Sequence, residues 1–114
     1  MPKSKLIVNL DNIKTQTTSH SIGEKFVFFS NDDLQSSITQ VAIGSLKPGE
    51  NIPPHLHKTM EEVFYIMSGD GTFYIEDEKI YVEENSCIRI PIGSLHSIEA
   101  NTPMQFFYFG VATN

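Results

Sequence analysis

The feature that most constrains the fold is a succession of short segments rich in Val, Ile, Phe and Tyr, separated by turn signals. β-branched and aromatic residues favour extended backbone, whereas stretches such as 68–71 (Ser-Gly-Asp-Gly) and 83–85 (Glu-Glu-Asn) favour tight turns. The pattern predicts strands at 6–10, 25–30, 38–46, 62–67, 72–75, 79–82, 87–90, 96–98 and 104–111. Many short strands at this spacing predict an all-β fold, an antiparallel sandwich or barrel.

Two segments depart from simple strand patterning. The stretch 31–35 can form a short helical turn, because Asn31, Asp32 and Asp33 are suitable capping residues. The run 104–112 is apolar at almost every position. A strand buried on one face alternates apolar and polar residues, so this run predicts cover on both faces. Either another sheet of the same chain or a second subunit could supply that cover.

Three of the four histidines form a pattern with an acidic residue. Residues two apart in an extended chain share a face, so His55 and His57 can direct their imidazoles at one point. Glu62 lies far enough past His57 for a turn and a second strand to return its carboxylate, and His96 opens another alternating segment. Three imidazoles and one carboxylate suit a divalent transition metal. Glu61 competes with Glu62 for the carboxylate role, since adjacent strand residues face opposite sides.

These residues lie within two longer motifs. The first runs from Gly49 through Pro-Pro-His55-Leu-His57 and Glu62 to Gly69, and the second contains Pro91-Ile-Gly-Ser-Leu-His96. Together they resemble the two motifs of the cupin superfamily. The first matches in full, whereas the second has Asn85 in place of its opening glycine and Ala100 where asparagine is often found. Asn tolerates the left-handed backbone region, so Asn85 can make the same turn.

The resemblance implies a single cupin domain over residues 1–114, with the first motif at about 49–69 and the second at about 85–101. The implied fold is a small double-stranded β-helix, or jelly-roll barrel. The implied cofactor is one divalent transition metal (Fe, Mn, Ni, Zn, Co or Cu), and its ligands would be His55, His57, Glu62 and His96. The six-residue gap to Gly69 selects Glu62 over Glu61. Because single-domain cupins commonly dimerise, the resemblance also favours a homodimer.

Composition narrows the partners and the location. The formal net charge is −6, and the eight Lys and Arg form no basic stripe, which argues against nucleic acid. No apolar run approaches the length of a signal peptide or a membrane span, so we expect no membrane partner and a cytoplasmic location. The single cysteine, Cys87, is compatible with a reducing compartment. Its apolar neighbours predict a small core residue, and His20 is interpreted as an ordinary hydrogen-bonded side chain.

Four protein ligands leave about two open positions on an ion that accepts six. Adjacent open positions suit a small ligand with two oxygen atoms, and the ion can polarise a carbonyl group as a Lewis acid. A mainly apolar lining is predicted from Ile43, Phe64, Ile66 and Phe73. With Arg89 as the only arginine, this lining favours a small oxygenated metabolite over a phosphorylated one.

Three hypotheses follow from the sequence. The first is a metal-dependent oxygenase or isomerase, the second is a non-catalytic domain that binds or senses a small ligand, and the third is a structural role with a vestigial pocket. A general base would favour the enzyme. Its candidates are Tyr65, Tyr74, Tyr108 and Glu61, and strand patterning alone leaves all four open.

Overall fold

The computed structural model describes residues 6–17 and 22–113. His20 lies outside these residues. The strands in this part of the chain are β1 (Gln16–Thr17), β2 (Glu24–Ser30), β3 (Ile38–Leu46), β4 (Asn51–His55), β5 (Met60–Ser68), β6 (Asp70–Ile75), β7 (Glu78–Glu83), β8 (Cys87–Ile90), β9 (His96–Ala100) and β10 (Met104–Ala112). Two short 3-10 helices span Leu10–Asn12 and Asn31–Asp33. None of the described helices is long and apolar enough to cross a membrane.

The strands form two antiparallel sheets. One has six strands in the order β1-β2-β3-β10-β5-β8, and the other has four in the order β4-β9-β6-β7. Consecutive strands alternate between the sheets along much of the chain, so the sheets pack face to face as a jelly-roll β-sandwich. The predicted all-β fold class is confirmed.

The core lies between the sheets and follows the two-residue alternation of the strands. On β5, Glu62, Phe64 and Ile66 are buried, whereas Tyr65 and Met67 are exposed. Phe64 meets Phe73 of the four-stranded sheet edge-on, with ring centroids 5.3 Å apart. The predicted inward positions of Glu62, Phe64 and Ile66 are therefore confirmed.

One strand prediction was wrong, and β1 and β4 were not predicted. The segment 6–10 is not a strand: it leads into the first 3-10 helix, and the backbone N–H of Asp11 donates to the side chain of Asn9 at 2.8 Å. The segment 51–55, which was not predicted, forms β4. Its prolines, Pro53 and Pro54, lack the N–H that a central strand needs, but β4 is an edge strand and its pairing with β9 is irregular between Ile52 and His55.

Two core assignments also failed. Cys87 is exposed because β8 is an edge strand, on which Ile88 packs against the core while Cys87 faces away from it. Ile43 is buried, with 6% exposure, but it lies outside the core cluster. It pairs directly with Phe26 of β2 and Phe107 of β10, so its side chain lies on the outer face of the six-stranded sheet.

The predicted helical turn is confirmed as the 3-10 helix Asn31–Asp33, and the backbone N–H of Ser30 donates to the Asp33 carboxylate at 2.9 Å. The apolar run at the C-terminal end forms β10, in the middle of the six-stranded sheet. Its inner residues, including Phe106 and Tyr108, are buried in the core, whereas Phe107 and Phe109 are only partly buried on the outer face.

Candidate metal centre

The two histidine-bearing segments meet at one edge of the four-stranded sheet. His55 ends β4 and His96 begins β9, and the two residues are direct partners in the strand register. Their ring centroids are 4.2 Å apart. His57 lies two residues past His55, with Leu56 between them exposed, and its ring centroid is 5.0 Å from that of His55. Strand pairing and two-residue alternation therefore bring together the three histidines that the sequence singled out.

A turn in the second motif fixes the approach of His96. The N–H of Ser94 donates to the carbonyl of Pro91 at 3.2 Å, and the N–H of Gly93 donates to the carbonyl of His57 at 2.9 Å. Gly93 has a φ of +75°, a conformation that glycine adopts without strain. The second motif is thus hydrogen-bonded directly to the first, which explains why the Pro-x-Gly spacing before His96 matters for the site.

The geometry of the three imidazoles fits a common ion. One ring nitrogen from each of His55, His57 and His96 lies within 4.8 Å of the other two. Three donor atoms that each lie about 2.0–2.2 Å from one ion are separated from one another by at most roughly 3.8 Å. The three nitrogens are therefore near enough that side-chain shifts of about 1 Å bring them onto one ion.

Glu62 reaches the same place from the six-stranded sheet. Its Oε1 is 3.6 Å from Nε2 of His57 and 3.5 Å from Nε2 of His96, and the residue is only 7% exposed. Glu61 points elsewhere, and its carboxylate pairs with the Arg89 guanidinium at 3.1 Å. A buried carboxylate costs much free energy unless it is paired or coordinates a cation, and Glu62 lies beside two imidazoles, those of His57 and His96.

Main-chain carbonyls orient two of the imidazoles. Nδ1 of His55 lies 2.9 Å from the carbonyl oxygen of Pro53, and Nδ1 of His96 lies 2.9 Å from that of Ser94. A carbonyl oxygen only accepts hydrogen bonds, so in the neutral form of each ring Nδ1 carries the proton and Nε2 carries the lone pair. This arrangement is the usual outer-shell support of a metal-binding histidine.

His96 provides the test of whether the residues fit a metal. Among the described residues, its Nε2 is the one fully buried polar side-chain atom without a hydrogen-bond partner. Such atoms are rare in folded proteins, because their desolvation is not compensated. Burial opposes the charged form of His96, but the Glu62 carboxylate and the Ser94 carbonyl outweigh it and raise its pKa. The donor set and this unpartnered atom both fit a divalent cation.

The histidines line a cavity of about 120 Å³ between the sheets. This volume is enough for several water molecules or one small ligand. Its wall contains apolar side chains such as Phe64 and Ile98 together with Tyr108, Lys25 and Gln40. Burial and the nearby Glu62 charge raise the pKa of Tyr108 to about 12.

The structure separates the four candidates for a general base. Tyr108 lines the cavity, whereas the hydroxyls of Tyr65 and Tyr74 bond to Asn85 and Glu99 outside it, and Glu61 pairs with Arg89. Sequence reasoning missed Lys25 and Gln40. The signal that could have found them is register, because Lys25 pairs with Gly44 and Gln40 with Gly110, and both of those glycines lie on the inner side of the sheet.

Comparisons with known proteins identify the family of this chain. The family model described as "Cupin domain" matches residues 42–110, a stretch that contains all four predicted ligands. The chain therefore belongs to the cupin family, and the resemblance read from its two motifs is confirmed. Asn85, the departure from the second motif, has a φ of +75° and makes the left-handed turn expected of it.

Individual relatives share only limited sequence identity with this chain. An uncharacterised protein of Methanocaldococcus jannaschii is 38% identical over 53 residues, which cover 45% of this chain and 42% of that protein. An oxalate-binding protein of Thermotoga maritima is 30% identical over 63 residues, covering 54% of this chain and 52% of the relative. The chain thus spans about half the length of the curated relatives that it matches.

Solved structures show the same fold. The crystal structure of a predicted oxalate decarboxylase from Thermotoga maritima has a TM-score of 0.85 at 22% identity, covering 94% of this chain and 99% of the other. An RmlC-like cupin from Shewanella frigidimarina has a TM-score of 0.82 at 10% identity, covering 100% and 96%. At these identities the likeness concerns the fold alone.

Proposed function

We propose that this chain is one cupin domain that holds a divalent transition metal ion through His55, His57, Glu62 and His96 and binds a small oxygenated acid at the remaining positions of the ion. The buried Nε2 of His96, which has no hydrogen-bond partner and lies 3.5 Å from Glu62 Oε1, carries the proposal. A metal ion would satisfy this atom and compensate the buried Glu62 charge at the same time. When bound, the ion would supply a Lewis acid that attracts and polarises ligand oxygen atoms.

The ligand class is supported by the cavity and by one relative. The cavity of about 120 Å³ suits a two- or three-carbon acid, and Lys25 in its wall offers a positive charge for a carboxylate. The similar protein of Thermotoga maritima is an oxalate-binding protein. Oxalate is therefore the first ligand to test, because it presents two adjacent oxygen atoms to two open coordination positions.

Elemental analysis of protein purified without affinity metals tests the metal. We expect about one Fe, Mn, Ni, Zn, Co or Cu ion per chain, removable by chelator and restored by Mn²⁺ or Co²⁺. Calorimetric titration with oxalate should then give binding to the metal-loaded protein and none to the metal-free protein. A substoichiometric metal content that reloading cannot raise would contradict the proposal.

We also propose a homodimer formed through the outer face of the six-stranded sheet. One row of direct pairs across this face contains Phe26, Ile43, Phe107, Tyr65 and Cys87. Ile43 is already buried within the chain, so the partly exposed Phe26 and Phe107 and the exposed Tyr65 and Cys87 would form the contact, as exposed apolar patches often do. The exposed, unpaired Cys87 thiol supports a reducing compartment such as the cytoplasm.

The dimer is tested by light scattering, which should give twice the chain mass of 12.8 kDa. Phe107→Glu should shift the protein to monomer, because a charge would be buried without a partner. Ile7→Glu, at a residue that is 86% exposed in the N-terminal segment, is the control and should remain dimeric. A monomeric wild-type protein at millimolar concentration would refute the dimer.

A further inference from the structure

Tyr108 is held beside the predicted metal ligands. On β10 it pairs with Phe64 of β5, and Gly110, two residues further, pairs with Glu62. Residues on one face of neighbouring strands interact, so the phenol and the Glu62 carboxylate project into the same cavity, which both of them line. The phenol ring stacks on Phe64 with centroids 5.1 Å apart and an interplanar angle of 12°. With 9% exposure, the ring has little freedom to move.

The hydroxyl of Tyr108 differs from those of the other tyrosines. Tyr65, Tyr74 and Tyr81 donate to Asn85, Glu99 and Asp70. In the part of the chain that the structure describes, the Tyr108 hydroxyl has no such partner. It is not fully enclosed either, because His96 Nε2 is the one fully buried unpartnered side-chain atom there. A mostly buried tyrosine hydroxyl usually finds a partner, and here the space left for one is the cavity.

We infer that the Tyr108 hydroxyl donates a hydrogen bond to an oxygen atom of the small acid that binds at the metal ion, and that it thereby positions this acid. The inference rests on the proposed function and assigns one residue to ligand selection. Two unpartnered polar atoms then have complementary roles: Nε2 of His96 faces the ion, and the Tyr108 hydroxyl faces the ligand of that ion. Ligands without an acceptor oxygen at this place would bind less tightly, since the hydroxyl would stay unpaired.

The electrostatics of the cavity agree with a donor role. Burial and the Glu62 charge raise the pKa of Tyr108 to about 12, so the hydroxyl keeps its proton at neutral pH. A neutral hydroxyl donates to a carboxylate oxygen without adding a second negative charge beside Glu62. Phenylalanine at the same position would keep the ring and its stacking on Phe64 and would remove only the donor.

The test compares Tyr108→Phe with Tyr74→Phe, whose hydroxyl bonds to Glu99 away from the cavity. Each Mn²⁺-loaded protein is titrated with oxalate by calorimetry, with metal content and thermal midpoint measured in parallel. We expect Tyr108→Phe to keep its metal and its midpoint but to bind oxalate roughly 10- to 100-fold more weakly, as when a hydrogen bond to a charged group is lost. Tyr74→Phe should bind oxalate like the wild type.

A spectroscopic measurement separates positioning from a packing effect. In Zn²⁺-loaded protein labelled with ¹³C at the tyrosine Cζ, one resonance should shift when oxalate is added. That resonance should be the one missing from the Tyr108→Phe spectrum. Equal oxalate affinity in Tyr108→Phe and wild type would overturn this inference and leave the proposed function intact. Metal binding without any oxalate binding in the wild type would overturn it together with the ligand class, and failure to load metal would overturn both proposals.

Discussion

At the scale of single residues, Glu61 and Glu62 offer a matched pair. They are adjacent on β5, yet Glu62 is buried beside two imidazoles while Glu61 pairs with Arg89 on the other side of the strand. Glu62→Gln keeps the shape and removes the charge, so the affinity for Mn²⁺ or Fe²⁺ should fall by about 10- to 100-fold or more, the range known for weaker outer-shell changes. Glu61→Gln should change it little. The dissociation constants of the two variants for the same metal ion, measured under the same conditions, test this expectation.

If Glu61→Gln caused the larger loss of metal affinity, the carboxylate ligand would lie on the opposite face of β5 from the one proposed. The burial of Glu62, Phe64 and Ile66 would then describe the fold but not the metal site. Both variants should retain the wild-type thermal midpoint without metal to within a few degrees, which shows that affinity and not folding has changed.

The titration of His96 gives the metal affinity a defined pH dependence. The Glu62 carboxylate and the Ser94 carbonyl raise the pKa of His96 against the effect of burial. In the metal-free fold this adds stability below the unfolded value of about 6.5, and the stability is lost as the pH rises through the folded pKa. A metal ion binds the imidazole ring of His96 only in its neutral form. The thermal shift caused by Mn²⁺ should therefore grow as the pH rises from below 6.5 to above the folded pKa.

Melts of metal-free and metal-loaded protein across this pH range measure that dependence. His57→Asn, which leaves His96 in place, serves as the comparison, since its weaker metal binding should still increase with pH over the same window. A metal-induced shift that is constant with pH in the wild type would mean that no histidine proton is displaced on binding.

His55, His57 and Glu62 could be predicted from spacing within one segment of the chain, whereas His96 was predicted from the motif resemblance and reaches the site through strand pairing. His55 and His57 are two apart on an extended segment, and Glu62 follows the alternation of β5. The role of Tyr108 could not be predicted in this way. Four tyrosines had similar strand contexts, and only the pairing of β10 with β5 shows that Tyr108 faces the cavity. Long-range pairing decides which face of a strand meets the site.

At the scale of turns and strands, two glycines with positive φ allow a controlled comparison. Gly69 has a φ of +82° and Gly93 a φ of +75°. A Cβ at Gly69 would overlap the carbonyl oxygen of Pro103, whereas a Cβ at Gly93 would meet nothing within 4 Å. Gly93→Ala should cost about 1–2 kcal/mol from backbone strain alone. Gly69→Ala should lower the free energy of unfolding by more, because the backbone at Pro103 must also move. Denaturant unfolding of both variants measures the difference.

Equal losses of unfolding free energy in the two glycine variants would show that the loop around Pro103 moves to accommodate a Cβ at Gly69. That result would contradict the close packing described for the turn between β5 and β6. A larger loss for Gly93→Ala would instead point to the hydrogen bond from Gly93 to His57 as the dominant constraint.

The strand prediction was right where apolar composition and cross-strand pairing agree. It was wrong where a segment has the composition of a strand but no partner, or a partner but not the composition. The segment 6–10 has the apolar residues of a strand, yet Leu6 and Ile7 are 91% and 86% exposed. The segment 51–55 has two prolines and nevertheless pairs with β9, because an edge strand tolerates missing donors. Ile43 and Cys87 were misassigned for a related reason. Apolar composition predicts that a strand has a buried face, but the pairing of the strands decides which side chains lie on that face.

For the protein as a whole, the proposed metal site lies apart from most of the core. Met104, Phe73 and Ile66 are fully buried between the sheets and do not line the cavity, so the prediction that Phe73 and Ile66 line it was wrong. Chelation should therefore leave the β-sheet circular dichroism intact at room temperature. It should lower the thermal midpoint by several degrees, since metal at 100 times its dissociation constant adds about 2.7 kcal/mol. Complete unfolding in chelator would show that the ion is needed for the fold itself.

The partners of the two oriented imidazoles are main-chain carbonyls two residues before each histidine, at Pro53 and Ser94. A carbonyl belongs to the backbone, so no exchange of a neighbouring side chain can delete it. Only a change in the path of the chain could release either ring. The orientation of these two proposed ligands is therefore insulated from changes in neighbouring side chains, and the walls of the cavity can be redesigned for other acids while the ring orientations persist.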